Sequence, residues 1–87
     1  MNEAPTNRIR SLIGESELVS VDVSGLGDTD DLYAAGLTSH ATVTLMLALE
    51  ETFDIEFPDR LLRRRTFESI AAMAAAVEEI RSGQVAA

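Results

Sequence analysis

Asp31-Leu32-Tyr33-Ala34-Ala35-Gly36-Leu37-Thr38-Ser39-His40-Ala41-Thr42-Val43-Thr44-Leu45 is the stretch that decides the fold. Gly36 marks a turn, and beyond it the apolar residues fall at helical spacing. That turn delivers Ser39 to the first turn of an amphipathic helix, which the spacing predicts from Ser39 to about Phe53. Thr42, Leu45, Met46, Leu49 and Phe53 share one face, which is assigned to the core. Ser39, Val43 and Leu47 follow at i, i+4 and i+8 on a stripe beside it, flanked by His40, Thr44 and Glu51. Val43 and Leu47 are therefore expected to be partly exposed apolar residues next to a serine, a patch suited to docking a partner.

Upstream, a first helix opens near Pro5-Thr6, with a capping side chain and a proline in its early turn. Ile9, Leu12 and Ile13 supply its apolar face, and Gly14 is expected to end it. A long connection follows, from about Glu15 to Thr38. Leu18, Val21, Val23, Leu26, Leu32 and Leu37 are available to pin it, and Asp30-Asp31-Leu32-Tyr33 reads as a short helical turn. Downstream, Asp54-Ile55-Glu56-Phe57-Pro58 breaks the helical pattern. Pro58 opens a short third helix through about Leu62. Thr66 is expected to cap a fourth helix, with Glu68 in its positive first turn. Phe67, Ile70, Met73, Ala74, Val77 and Ile80 form its buried stripe, and Gly83 its end. The fold class is all-α: three longer helices and a short third one, making a small four-helix bundle with a long loop between helices one and two. Residues 1–87 read as a single domain.

Composition narrows the function. The 87 residues are too few to enclose a large cleft and a full core together. There is no cysteine, so disulfides and thiolate metal sites are excluded, and thiol chemistry must come from a partner or a prosthetic group. The formal net charge is −8, and every basic residue is an arginine. Nucleic acid binding is not expected of so acidic a chain. No apolar run reaches membrane-spanning length, and the N-terminus lacks a signal-peptide pattern, which gives a cytoplasmic address as the expectation.

Ser39 has two readings from the residues alone. Serine is among the best helix caps. A helix N-terminus also welcomes a phosphodiester, through its partial positive charge and free N–H groups. Thr38 can take over capping and leave the Ser39 hydroxyl outward. His40 makes no catalytic dyad with Ser39, since adjacent helical residues point about 100° apart. Asp28, Asp30 and Asp31 lack the spacing of a calcium loop and read as solvated acids. No metal site is expected. Arg63-Arg64-Arg65 reads as solvated charge or a local partner contact.

The segment from Asp31 to Ile70 resembles the acyl carrier protein family. It has an Asp31-Leu32 pair, Gly36-Leu37-x-Ser39 opening helix two, then Glu50-Glu51-x-Phe53 and Ile55-x-Phe57-Pro58-Asp59. The resemblance implies an acyl-carrier-like bundle and a 4′-phosphopantetheine arm attached covalently to Ser39, with no catalytic residue in the chain itself. There are departures. Thr38-Ser39-His40 stands where the family usually has Asp-Ser-Leu, and Ala41 and Thr44 stand at positions that are acidic in fatty-acid carriers. The acidic docking face is left mainly to Glu50 and Glu51.

The runs Asp-Leu-Tyr-Ala-Ala-Gly-Leu-Thr-Ser and Leu-Met-Leu-Ala-Leu-Glu-Glu are similar to those of small stand-alone carriers served by amino acid:carrier protein ligases. Such ligases resemble the catalytic core of seryl-tRNA synthetases. This narrower resemblance implies an aminoacyl carrier, monomeric when free. A phosphopantetheinyl transferase modifies it, a ligase loads it, and an acceptor not named by the sequence unloads it. Its docking surface would comprise Thr38, His40, Ala41, Val43, Thr44, Leu47 and Glu51. A carrier for fatty-acid or polyketide synthesis is the alternative, and a helical adaptor with Ser39 only a cap is the alternative of another class. A serine hydrolase fails for want of a base and an orienting acid.

Overall fold

The computed structural model describes residues 4–83. Three α-helices carry it: α1 (Pro5–Glu15), α2 (Ser39–Phe53) and α3 (Ile70–Arg81). Single 3-10 turns occupy Val23–Gly25, Asp59–Leu61 and Arg64–Phe67. This is the expected all-α, acyl-carrier-like fold, with the short third helix reduced to a 3-10 turn behind Pro58. No helix among the described residues is long and apolar enough to cross a membrane.

One core serves all three helices. Ile9, Ile13, Leu32, Leu45, Leu49, Ile70, Met73 and Val77 are buried within it. α1 packs chiefly against α3. Phe57 and Phe67 close one end with tilted rings 5.5 Å apart. The face expected of α2 is correct in its centre: Leu45 and Leu49 are buried, while Thr42, Met46 and Phe53 are half-buried at its margins.

Two helix boundaries and one cap differ from expectation. α1 starts behind Ala4, with Pro5 at its first position and no side-chain cap. It runs through Gly14 to Glu15 and ends where Glu17 takes a left-handed conformation (φ 52°). The amide of Leu18 then returns to the Ile13 carbonyl at 3.1 Å, which closes the helix end without a glycine. Gly14 is instead a point of close approach, where an added Cβ would lie 3.0 Å from Val23 Cγ1. The last helix is capped by Ser69, not Thr66: the Ser69 hydroxyl accepts the Ala72 amide at 3.0 Å. Thr66 is buried in the preceding 3-10 turn, and Glu68 lies ahead of α3 as part of the connection. Gly83 ends α3 as expected, at φ 79°.

The long connection is tied down by polar contacts as much as by leucines. The Arg10 guanidinium donates to the Val23 and Leu26 carbonyls (2.7 and 2.6 Å) and to Asp28 Oδ1 (2.6 Å). Asp30 accepts the Gly27 amide and Asp31 the Tyr33 amide. The acidic group of the loop is thus consumed in turn formation. Asp22 accepts both the amide and the hydroxyl of Ser24, and these bonds hold its carboxyl below the usual carboxylate range. Val21 is the loop's apolar exception, exposed rather than pinned.

The turn expected over Asp30–Tyr33 lies further along the chain, over residues 32–36. The Leu32 amide donates to the Glu68 carbonyl (2.8 Å), and the Leu37 amide returns to the Leu32 carbonyl (3.0 Å). Gly36 sits at φ 110°, where its missing Cβ would fall 2.9 Å from the Ser20 backbone nitrogen. Conformation and space both require glycine there. Gly36→Ala should therefore cost about 2 kcal/mol or more, read as a lowered denaturant midpoint; an unchanged midpoint would show that the turn tolerates a side chain.

Candidate functional site

The start of α2 divides its work between two neighbouring hydroxyl residues. Thr38 is extended (φ −88°, ψ 169°) and caps the helix: its Oγ1 accepts the Ala41 amide at 3.0 Å. Its carbonyl accepts both the Thr42 amide (2.9 Å) and the Thr42 hydroxyl (2.8 Å). Ser39, the first helical residue, is thereby released from capping and is exposed. Its own amide and that of His40 belong to the first turn, which has no carbonyl one turn back to receive them.

A groove of about 310 Å³ opens beside Ser39. Thr42, Val43 and Met46 of α2 form one wall; Leu62, Arg63, Arg64 and Phe67 form the other, with Tyr33 of the loop also lining it. Tyr33 is fixed from two directions. Its hydroxyl donates to the Arg64 carbonyl at 2.9 Å, and the Arg64 guanidinium lies 3.8 Å above its ring. Sequence reasoning missed the Tyr33–Arg64 pair and Leu62: it placed Leu62 at the end of a short third helix and read Arg63-Arg64-Arg65 as solvated charge or a local partner contact.

Most of the residues expected to form a docking surface are exposed. Thr38, His40, Val43, Thr44, Leu47 and Glu51 are exposed. Val43 and Leu47 keep 53% and 55% of their surface, enough to leave an apolar stripe running from Ser39 along α2. Ala41 differs: it is half-buried and packs against the core, so it presents little to a partner. Glu50 also differs from the acidic face assigned to it. Its carboxylate turns back to accept the Phe57 amide at 2.9 Å and holds the chain after α2. Glu51 remains as the outward acid. Leu62, 44% exposed, extends the apolar patch across the groove.

Among the described residues, no side chain is hydrogen-bonded to the Ser39 hydroxyl. His40 is exposed on the neighbouring position of the helix, and its carbonyl accepts the Thr44 hydroxyl at 3.3 Å. Among the described residues, no group of three or more His, Asp or Glu side chains is placed to hold a metal ion. What the arrangement does offer is an accessible alcohol at the positive end of a helix, beside a groove with apolar walls. These features fit a phosphodiester-linked arm: the oxygen is free to bond, and the helix end favours the resulting anion.

Comparison with known proteins agrees with this geometry. Residues 7–77 match the family described as "Phosphopantetheine attachment site". The chain belongs to the phosphopantetheine-attachment carrier family. It is a homologue of an aminoacyl carrier protein from Agrobacterium fabrum (strain C58), with 48% identity over 79 residues, 91% of this chain and 95% of the relative. Among solved structures, it superposes on a chain in a crystal structure of an engineered Bradyrhizobium japonicum glycine:carrier protein ligase complexed with a carrier protein from Agrobacterium tumefaciens and ATP. The TM-score is 0.81 at 47% identity, covering 86% of this chain and 97% of the other. A solution structure of an Agrobacterium tumefaciens protein gives 0.73 at 46% identity, covering 91% and 95%.

The two leucines of α2 make a test of its orientation. Leu49 is fully buried and Leu47 is 55% exposed. Leu49→Asp should destabilise by about 3 kcal/mol or more, since it buries an unpaired carboxylate. Leu47→Asp should stay within about 0.5 kcal/mol of the parent. Thermal melts followed by circular dichroism distinguish the two.

Proposed function

We propose that Ser39 is the attachment point of 4′-phosphopantetheine, and that the protein, acting as a single carrier domain, carries a small amino acid on that arm. The observation that supports this most is the division of labour at the start of α2, where Thr38 caps and Ser39 is left exposed at the groove. In a phosphopantetheinyl transferase, Ser39 Oγ would attack the pyrophosphate of coenzyme A. The bond formed is Oγ–P, the hydroxyl proton passes to the transferase's base, and adenosine 3′,5′-bisphosphate leaves. The arm's terminal thiol, once attached, supplies the nucleophile on which an amino acid is held as a thioester. The protein's own residues orient and present; they are not the catalyst.

Loading is assigned to an ATP-dependent amino acid:carrier protein ligase of the seryl-tRNA-synthetase-like kind. The likeness to a chain crystallised with a glycine:carrier protein ligase supports that partner. So do the departures from the acidic pattern of fatty-acid carriers: Ala41 is drawn into the core, and Thr44 is a neutral surface residue. A cytoplasmic setting, where ATP and coenzyme A are available, is part of the proposal.

Incubation with coenzyme A and a promiscuous transferase should raise the intact mass by one phosphopantetheine. Peptide mapping should place it on Ser39, and Ser39→Ala should abolish it while keeping the helical spectrum. An arm found on any other serine would refute the assignment. The modified protein should then gain a hydroxylamine-labile aminoacyl group from ATP, a small amino acid and such a ligase, and little malonyl group from malonyl-coenzyme A and its transferase. Leu47→Asp should lower the ligase reaction about tenfold or more while leaving the fold intact. Efficient malonylation without aminoacylation would transfer the protein to fatty-acid or polyketide chemistry.

A further inference from the structure

Arg63, Arg64 and Arg65 are three consecutive cations in an acidic chain. The chain carries 15 carboxylates against seven arginines, so an exposed arginine has many possible partners. The ion pairs among the described residues are Arg10–Asp28 and Arg60–Glu79. Among the described residues none of the three consecutive arginines forms one, nor does Arg81; what distinguishes the three is that they stand side by side and exposed. Their position is equally specific. Arg63 and Arg64 line the same groove as Ser39 and Val43, and Leu62 beside them is a large apolar residue left in solvent. One wall of the groove is therefore the neutral, apolar stripe of α2, and the other ends in cations that form no ion pair among the described residues.

Arg64 is partly committed within the molecule, since its guanidinium stacks on Tyr33. Stacking leaves the edge of the guanidinium plane, and hence its N–H donors, available to a planar anion. The Tyr33 hydroxyl, bonded to the Arg64 carbonyl, also fixes the backbone that presents Arg63. The cations are held at the groove by the fold.

We infer that the Leu62–Arg65 segment is the second half of the ligase-docking surface, and that it receives carboxylates on the ligase beside an apolar contact. The inference rests on the aminoacyl-carrier reading and adds to it the chemistry of the partner's surface. A carrier at net −8 would ordinarily be sought by basic surfaces. Here the local sign beside the arm is inverted, so basic enzyme faces are disfavoured at this edge and an acidic one is favoured. Attraction and rejection by the same residues provide selectivity among partners.

The test measures aminoacylation kinetics of the phosphopantetheinylated protein with the Bradyrhizobium japonicum glycine:carrier protein ligase, glycine and ATP, over a range of salt concentrations. Arg63→Gln/Arg64→Gln should lower kcat/KM about tenfold at low salt, mainly through KM, and flatten the salt dependence. Arg63→Glu should be worse than Arg63→Gln. Arg81→Gln is the charge control: Arg81 ends α3, about 16 Å along its axis from Ile70 at 1.5 Å per residue, and its loss should leave KM unchanged. Modification of each variant by the transferase, with its melting curve, separates docking from folding. Variants that fold, accept the arm and load with unchanged KM and salt slope would overturn the inference alone. A wild-type protein that accepts the arm but takes no small amino acid from this or any related ligase would overturn the functional reading, and this inference with it.

Discussion

The backbone hydrogen bond from Leu32 to the Glu68 carbonyl, 2.8 Å long, is the constraint on which the site depends. Leu32 is fully buried, and its amide would be an orphan donor without that carbonyl. The bond joins the loop to the segment just ahead of α3. A second one, from Ala71 to the Asp28 carbonyl (2.8 Å), repeats the connection a few residues away. With the loop fixed to α3, the Gly36 turn can be fixed as well, and the start of α2 has one allowed position. Tyr33, next to Leu32, is set against Arg64 by the same arrangement. The groove at Ser39 is therefore framed by a loop and a 3-10 segment that hold each other, rather than by helix packing alone.

Much of this was legible in the residues, for identifiable reasons. The apolar spacing of α2 gave its buried centre at Leu45 and Leu49, and the same spacing gave the exposure of Val43 and Leu47. Thr38 and Ser39 were both readable as the cap, and the structure gives the role to Thr38. The boundaries were harder where side chains compete. Thr66 and Ser69 are both good caps, and the choice between them is made by tertiary contacts, since the chain between them must deliver the Glu68 carbonyl to Leu32. Gly14 carries the composition of a helix end but is placed for the approach of Val23, a contact nine residues away that periodicity does not report.

Polar contacts over long range were the least legible. Nothing local marks Arg10 as the staple of a distant loop, or Glu50 as the acceptor for Phe57 rather than a docking acid. Both act on backbone groups, and a backbone acceptor has no signature in sequence. The same holds for Tyr33 and Arg64, which lie 31 positions apart. The candidate serine could thus be placed from the sequence, while the far wall of its groove could not.

The arginines at that wall have one more consequence, which follows from there being no lysine anywhere in the chain. A thioester on an arm is an acylating agent, and an unprotonated amine within its reach would take the acyl group as a stable amide. Lysine loses its proton readily when its surroundings favour it, whereas a guanidinium stays protonated. Arginine at the rim provides the positive charge without the nucleophile. With no cysteine either, the described surface offers the cargo no side-chain amine or thiol to which it could be lost. The charge proposed to select the partner is thus of a kind chemically inert toward the group being carried.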